Sequence, residues 1–508
     1  MIPVIDLFAG PGGLGEGFSA LRDDAGRRVF RIGLSIEKDP AAHKTLLLRS
    51  FFRQFEIAPN QYYSYVRGEL AISQLIEAFP TQYGSAQEEA LCVELGKHDW
   101  TDIDSRIRRA IGDFKNWVLI GGPPCQAYSL VGRSRMRNKN PQKFGRDKRH
   151  LLYREYLRIL AVHRPPVFVM ENVKGILSSQ HKKEPIINKI IADLKHPLDS
   201  LPELKTSEWD SVTYDIQSLV DRVDSRQSSL FGKSPRDFVI RFEQHGIPQA
   251  RHRVLLVGIR SDISRDLSTL TPQKQIAMWN AVQDLPEMRS RLSGEPDSPE
   301  AWLRAIGMIR DSLGKTSCGS QLRDFIHKSL GQLTARQSCG GEFMEWRRRS
   351  EWASDWFHDA RLGGVLNHTS RGHIASDLQR YFFAACFAKV RNRSPKIEDF
   401  PIALLPKHKN IKKKNTKATI FADRFRVQIA SRPATTITSH ISKDGHYFIH
   451  PDPLQARSLT VREAARLQTF PDNYYFEGPR TSQYHQVGNA VPPLIAREVA
   501  KMVADLLG

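Results

Sequence analysis

Cysteine is scarce in this 508-residue chain, and the five present (Cys92, Cys125, Cys318, Cys339 and Cys386) are odd in number and far apart. None forms a Cys-x-x-Cys pair, which argues against both a disulfide scaffold and a zinc ribbon, and no metal site is expected. A free thiol is most often a small buried hydrophobe, the state expected of Cys92 and Cys386. Long apolar runs are missing too. The densest, Tyr381 to Val390, is too short to cross a bilayer and ends in charge. The N-terminus enters an apolar stretch at once, without a basic segment or a cleavage site, so no secretory leader is expected. Internal repeats and low-complexity segments are absent as well, and the expectation is a cytoplasmic protein away from any membrane.

Positive charge is in excess. Lysine and arginine number 75 against 55 acids, a formal net charge of +20. Such a surplus attracts polyanions through long-range electrostatics and counterion release. A basic soluble protein with no nucleic-acid role has the same composition, so charge alone does not choose.

Short apolar runs at Ile2–Phe8, Arg31–Ile36, Trp117–Ile120, Pro166–Met170 and Val254–Ile259 alternate with helical stretches. That rhythm indicates an α/β fold with a mainly parallel sheet, whose functional loops lie at the carboxyl ends of strands. The unusual sequences fall at those ends. From about residue 261 to 430 the rhythm is lost, and the stretch carries a basic run, Lys407 to Lys417. A separate domain or a large insertion is the simplest reading. The basic run alone reads as a solvated loop; beside a site that handles nucleic acid it would read as a phosphate contact.

Asp6 to Gly15 places Gly-x-Gly-x-x-Gly after a strand and before a helix. Glycines there permit a tight turn and close approach of a ligand to the backbone. Glu37, ending the second strand, suits both hydroxyls of a ribose, and Phe8 is placed to stack on or pack beside an adenine. The pattern indicates a nucleoside cofactor without separating S-adenosylmethionine from NAD.

Gly121-Gly122-Pro123-Pro124-Cys125-Gln126 sets a cysteine just beyond a buried strand, on a backbone stiffened by two prolines. The buried-hydrophobe reading fits Cys125 poorly. The next strand ends in Glu171-Asn172-Val173, where general-acid chemistry beside Cys125 would need a carboxyl group; a helix cap or a pairing with an arginine is the alternative for Glu171. Arg251 and Arg253 alternate at the start of another strand, so both can project to one side, where guanidinium groups suit carbonyls and anions. Two solvated surface arginines are the alternative.

Taken in order, these segments resemble the DNA cytosine C5-methyltransferase family, prokaryotic type. The matching pieces are DLFAGPGGLGEGF, SIEKDP, GGPPCQAYS, MENVKGIL, HGIPQARHRVLLVGIR, RSLTVREAARLQTFPDNY and QVGNAVPP. They span nearly the whole chain, though the segments between them are mostly unmatched. The resemblance implies a Rossmann-like S-adenosylmethionine-dependent methyltransferase domain with a mainly parallel sheet, plus a smaller mixed target-recognition domain. The expected boundaries are 1–260 for the catalytic and cofactor-binding domain, with insertions near 41–96 and 181–235, then 261–430 for target recognition. Residues 431–508 are expected to return to the catalytic domain, the last helix lying beside the first strand.

Each matched residue acquires an implied role. Phe8, Gly10, Pro11 and Gly13 would line the cofactor site, Glu37 would hold the ribose, and Pro124 and Leu152 would pack nearby. Asn489 would support the cofactor and cysteine loops. Cys125 would add to C6 of a flipped-out cytosine, assisted at N3 by Glu171, with Arg253 and Arg251 holding the base carbonyl and the active-site loop. The segment Tyr128 to Lys148 is expected to close over DNA with Ser129, Arg133 and Arg135 near phosphates or the vacated base stack, and Lys412 and Lys413 are expected to touch DNA as well. The insertion after SIEKDP blurs the acid that binds the adenine amine; Asp99 is the choice, with Asp102 as the alternative. The expected partners are double-stranded DNA and, in a restriction–modification setting, a cognate restriction endonuclease. A monomer associated with the nucleoid through DNA is expected.

Other readings explain less. A methyltransferase for exocyclic amino groups needs no cysteine, and its Asn/Asp-Pro-Pro turn ends in an aromatic residue. A nicotinamide oxidoreductase leaves Cys125, Glu171 and the arginine pair without roles. A catalytically dead DNA-binding protein has no need of an intact Cys–Glu–Arg set. A tRNA cytosine methyltransferase shares the catalytic motifs, and only the basic insertion favours duplex DNA over it.

Overall fold

The central strands are apolar on both faces because each is sandwiched between two helical layers. In β1 (Ile2–Leu7) Ile5 and Leu7 face one core and Val4 the other. Further along the chain, Leu119 in β4 (Val118–Gly121) and Phe168 and Met170 in β5 (Val167–Val173) repeat the first facing; Val118, Ile120, Val167 and Val169 repeat the second. The period of two thus builds two cores from continuous apolar runs. The computed structural model describes residues 1–124, 149–178, 180–181, 184–204, 212–220, 235–313, 319–406 and 423–508. They form two compact units, one of residues 1–58, 79–274 and 490–508, the other of residues 59–78 and 275–489.

In the first unit the chain runs β1, α1 (Gly13–Ser19), β2 (Phe30–Glu37), α2 (Pro40–Arg53), α3 (Pro80–Glu89), β3 (Ala90–Cys92), α4 (Trp100–Ile111), β4, α5 (Arg149–His163), β5, α6 (Ile186–Lys195), β6 (Tyr214–Gln217), β7 (Val239–Arg241) and β8 (His252–Arg260). The sheet order is β3-β2-β1-β4-β5-β8-β6, with β7 also on β8. Pairs from β3 to β5 are parallel, whereas β8 runs antiparallel to β5, β6 and β7. The order reverses between β1 and β4, which opens a crevice at the strands' carboxyl ends. Helices α4 to α6 cover one face. On the other face α1 packs with the closing helix Pro493–Leu507, which buries Ile495, Val499 and Val503. This contact explains two of the loop's glycines. A Cβ on Gly17 would lie 2.4 Å from the Cβ of Ala496, and one on Gly13 would lie 2.3 Å from the Val491 carbonyl oxygen.

The second unit has its core around the helix Ala375–Arg391, where Tyr381, Phe382, Phe383 and Cys386 are buried against Trp302, Ile306, Leu322 and Ile326. The densest apolar run of the sequence is therefore a core helix. Burial pushes the Cys386 thiol up to about 12, as a structural cysteine requires. A second, charged core surrounds the helix Val461–Leu467. Arg457 makes two 2.7 Å contacts to the Glu463 carboxylate, and Arg466 bridges Asp284 and Asp472. Arg462 donates to the carbonyls of Leu366, Pro471 and Tyr474. All three arginines are essentially inaccessible to solvent.

Several boundaries differ from those read from the sequence. Residues 59–78, inside the first insertion, belong to the second unit, where the Tyr62, Tyr63 and Tyr65 hydroxyls donate to the Asn473 carbonyl, Asp359 and Glu477. The segment 261–274 stays with the first unit, tied by backbone bonds from Leu270 to Leu219 and from Gln273 to Gln244. The return to the first unit begins at Ala490 rather than at residue 431, because the charged core holds 455–472 within the second unit. Cys92 is a further difference. It is exposed at the end of a three-residue edge strand, not buried. Partial burial and the nearby carboxylates of Glu37 and Asp39 raise its pKa, which keeps the thiol protonated.

Candidate active site

The first unit gathers its polar groups at the carboxyl edge of the sheet. Phe8 leaves β1 with a φ of 57°, and Gly10 follows with 58°. A Cβ on Gly10 would meet nothing within 4 Å, so this part of the loop faces open space, whereas Gly13 is filled from behind. Pro11 is buried and Phe8 half-buried. Glu37 ends β2 with its carboxylate fixed by two backbone donors, Gly10 N–H at 2.8 Å and Asp39 N–H at 2.7 Å. Each carboxylate oxygen keeps a second lone pair, so the fixed group can still accept from a diol. The donor set suits a nucleoside: an open glycine turn, an aromatic residue and an oriented carboxylate at one edge.

The two acids considered for the adenine differ in commitment. Asp102 pairs with His98 at 2.8 Å and Arg106 at 3.0 Å, and these partners hold its carboxyl below the usual range. Asp99 caps α4, accepting from Thr101 N–H through Oδ1, and is exposed. Leu152 is buried on α5.

On the reacting side, Arg253 at the start of β8 sits across the antiparallel ladder from the end of β5. Its Nε lies 2.8 Å from Glu171 Oε1, both side chains being about one-eighth exposed. Burial lowers the Arg253 pKa and the Glu171 carboxylate opposes that shift. Glu171 also lies against the loop that leads to Cys125, since a Cβ on Gly122 would come within 3.0 Å of its Oε2. Asn172, buried, donates to the Pro123 carbonyl at 3.3 Å. The sequence marked Asn172 only as part of a motif; the structure makes it a brace two residues before Cys125. Arg251 is 1 % exposed and donates to the Ala490 carbonyl at 2.9 Å, so it ties the C-terminal segment to β8. Burial and the neighbouring Arg253 drive its pKa well down.

Asn489 ends the helix Arg480–Asn489, is exposed, and is assigned to the second unit. Pro124 is half-buried at the last described position before Cys125. Cys125, Ser129, Arg133, Arg135, Lys412 and Lys413 lie outside the described residues. No group of three or more His, Cys, Asp or Glu among the described residues could hold a metal ion. Nor is any described helix long and apolar enough to cross a membrane.

In the second unit, sequence reasoning missed Asn367-His368-Thr369-Ser370-Arg371-Gly372-His373. Asn367 exchanges bonds with Phe476, and His368 is fully buried between Thr460 Oγ1 and the Pro286 carbonyl. Arg371 donates to the carbonyls of Ile441 and Lys443. A strand carrying Asn and His at adjacent buried positions was the available signal.

A largely parallel sheet with this strand order, a glycine turn after β1 and the loop at residues 122–124 set against a Glu–Arg pair define a Rossmann-like methyltransferase. The family profile described as C-5 cytosine-specific DNA methylase matches residues 86–197 and 237–505. Type II methyltransferase M.Bpa9945I of Bacillus paralicheniformis is 32% identical over 99% of both chains. Type II methyltransferase M.DdeI of Desulfomicrobium norvegicum is 25% identical, with 99% of this chain and 88% of that one covered. A crystal structure described as that of a "putative DNA modification methyltransferase" encoded within a prophage (E. coli) shares the fold, with a TM-score of 0.51 and 18% identity over 100% of this chain and 99% of that chain. The chain belongs to the C-5 cytosine-specific DNA methylase family and is a DNA cytosine-5-methyltransferase of the prokaryotic type.

Proposed function

We propose that the protein methylates C5 of a cytosine flipped out of a specific duplex DNA sequence, with Cys125 as covalent nucleophile. The observation that carries this reading is the Glu171–Arg253 pair, set against Gly122 three residues before Cys125. Cytosine C5 is a poor nucleophile until a group adds to C6. The Cys125 thiolate adds there while Glu171 donates a proton or hydrogen bond to N3, which makes C5 enamine-like. Arg253 orients Glu171 and offers its remaining N–H groups to the base carbonyl; Arg251 and Asn172 brace the elements around them. Loss of the C5 proton and expulsion of Cys125 restore aromaticity after methylation. A base inside a duplex cannot reach such a pocket, so it is flipped out.

S-adenosylmethionine, when bound, supplies the methyl group. Glu37 would hold its ribose, Phe8, Gly10, Pro11, Pro124 and Leu152 would line its site, and Asp99 would accept from its adenine amine. Asp99 is preferred to Asp102 because the latter is spent on His98 and Arg106. The second unit would read the target sequence. The relatives are type II methyltransferases, so a cognate restriction endonuclease is a natural companion.

Methyl transfer from labelled S-adenosylmethionine to duplex DNA and to tRNA tests the substrate; transfer to tRNA alone would overturn it. Cys125→Ser should bind DNA with near wild-type affinity and lose turnover. Substantial residual methylation by that variant would refute covalent catalysis.

A further inference from the structure

The hairpin Gly340–Glu345 and Gly364–Thr369 of the second unit continues into Trp346-Arg347-Arg348-Arg349-Ser350. All three arginines are exposed, and among the described residues no carboxylate pairs with them. Exposed Glu345 and Glu351 flank the triplet without engaging it. Several other arginines of this unit are paired with carboxylates: Arg289 with Asp297, Arg393 with Asp399 and Arg466 with Asp284.

The triplet is nevertheless held at both ends. Trp346 donates its backbone N–H to Gly363 and its indole N–H to the Asp284 carbonyl at 2.6 Å. Ser350, 4% exposed, donates its hydroxyl to the Trp352 carbonyl at 2.8 Å. Asp284 is itself clamped by Arg466. Three like charges on consecutive residues repel one another and add nothing to the core, so fold stability does not explain them. Guanidinium groups carried on a short segment anchored at both ends match phosphate oxygens through their planar fork.

We infer that Arg347, Arg348 and Arg349 form a sequence-independent contact to the phosphate backbone of duplex DNA. This rests on duplex DNA being the substrate. Such contacts fix register on the duplex without reading bases, and each phosphate neutralised contributes about 0.9 to the salt slope of log K.

The test compares wild-type protein, the triple variant R347Q/R348Q/R349Q and the single variant Arg348→Gln by fluorescence anisotropy on duplexes of unrelated sequence across a salt series. The expected result is a slope reduced by about 2 to 3 in the triple variant and by about 1 in the single one. Affinity should fall by the same factor on every sequence. The melting temperature and the equilibrium affinity for S-adenosylmethionine should stay at wild-type values, which shows that the variants are folded. The triple lysine variant should keep the slope, because charge is retained. An unchanged slope in a folded triple variant, or in the folded single variant should the triple not fold, overturns the proposal while leaving the substrate assignment intact. Wild-type protein with no salt-dependent affinity for duplex DNA overturns both.

Discussion

Glu171 and Arg253 are worth more as a pair than either is alone. In the proposed mechanism the Glu171 carboxyl group needs a fixed direction to serve N3 of the base, and the 2.8 Å contact to Arg253 would provide it. Glu171→Gln keeps the shape and removes the acid, so turnover should fall about 10²- to 10⁴-fold, the usual worth of a positioned acid or base. Single-turnover methylation measures this, with DNA affinity held constant by binding controls. Asp6 poses a different question at the same scale. It is 1 % exposed beneath α1, and burial pushes its carboxyl up to about 8. The folded state therefore holds a proton that the unfolded chain releases above its ordinary pKa of 3.8, so stability is lost as pH rises from there to about 8. Asp6→Asn removes that titration. The variant should gain on wild type in urea melts as pH rises through this window, and stop gaining above about 8. A constant difference across the range would show that Asp6 is not held protonated.

Among the elements, α1 shows how one residue type answers two demands. Gly10 faces open space, whereas Gly17 is needed because the closing helix occupies the place of its side chain. Gly17→Ala should destabilise the first unit by about 1–3 kcal/mol through overpacking. Gly84→Ala, in the interior of α3 with nothing within 4 Å of the new Cβ, should instead stabilise it by about 0.5–1 kcal/mol. Thermal melts of the two variants should move in opposite directions. The strands were legible in sequence because burial on both faces writes continuous apolar runs, and the candidate site could be located because Phe8, Glu37 and Glu171 fall where such runs stop and Arg251 and Arg253 where another begins. The antiparallel direction of β8 was not, since a buried run reads alike in either sense. The crossing of 59–78 into the second unit rests on three tyrosine hydroxyls and leaves no periodic trace. Residues 261–430 looked patternless because much of that unit is organised by buried polar side chains, Asn367, His368 and His373 among them, rather than by a repeating apolar face.

On the scale of the whole molecule, those buried polar groups give the second unit an acid sensitivity with a definite sign. It buries His368, His373, His446 and His450, and desolvation lowers the pKa of each, to about 4 for His368 and His450. A neutral imidazole in the fold binds fewer protons than the same residue unfolded at 6.5, so stability rises with pH across that interval. The contribution is complete above about pH 6.5 and is lost progressively as pH falls towards 4. Glu463 acts in the same direction at lower pH, because Arg457 and its hydrogen bonds hold its carboxyl well below the ordinary 4.5, and acid removes that pairing. At about pH 5 His368 alone should cost the unit about 2 kcal/mol, at 1.36 kcal/mol per pH unit. Hydrogen-exchange protection factors, which divide out the intrinsic pH dependence of exchange, give the readout. Protection at Gly364–Thr369 and around residues 446–450 should drop between pH 7 and about pH 5. His368→Asn should flatten part of that slope, because an amide can occupy the gap between Thr460 Oγ1 and the Pro286 carbonyl without titrating. Protection that stays level through this interval in the wild-type protein would mean that the imidazoles are not held neutral, and the acid sensitivity would then have to rest on Glu463 alone.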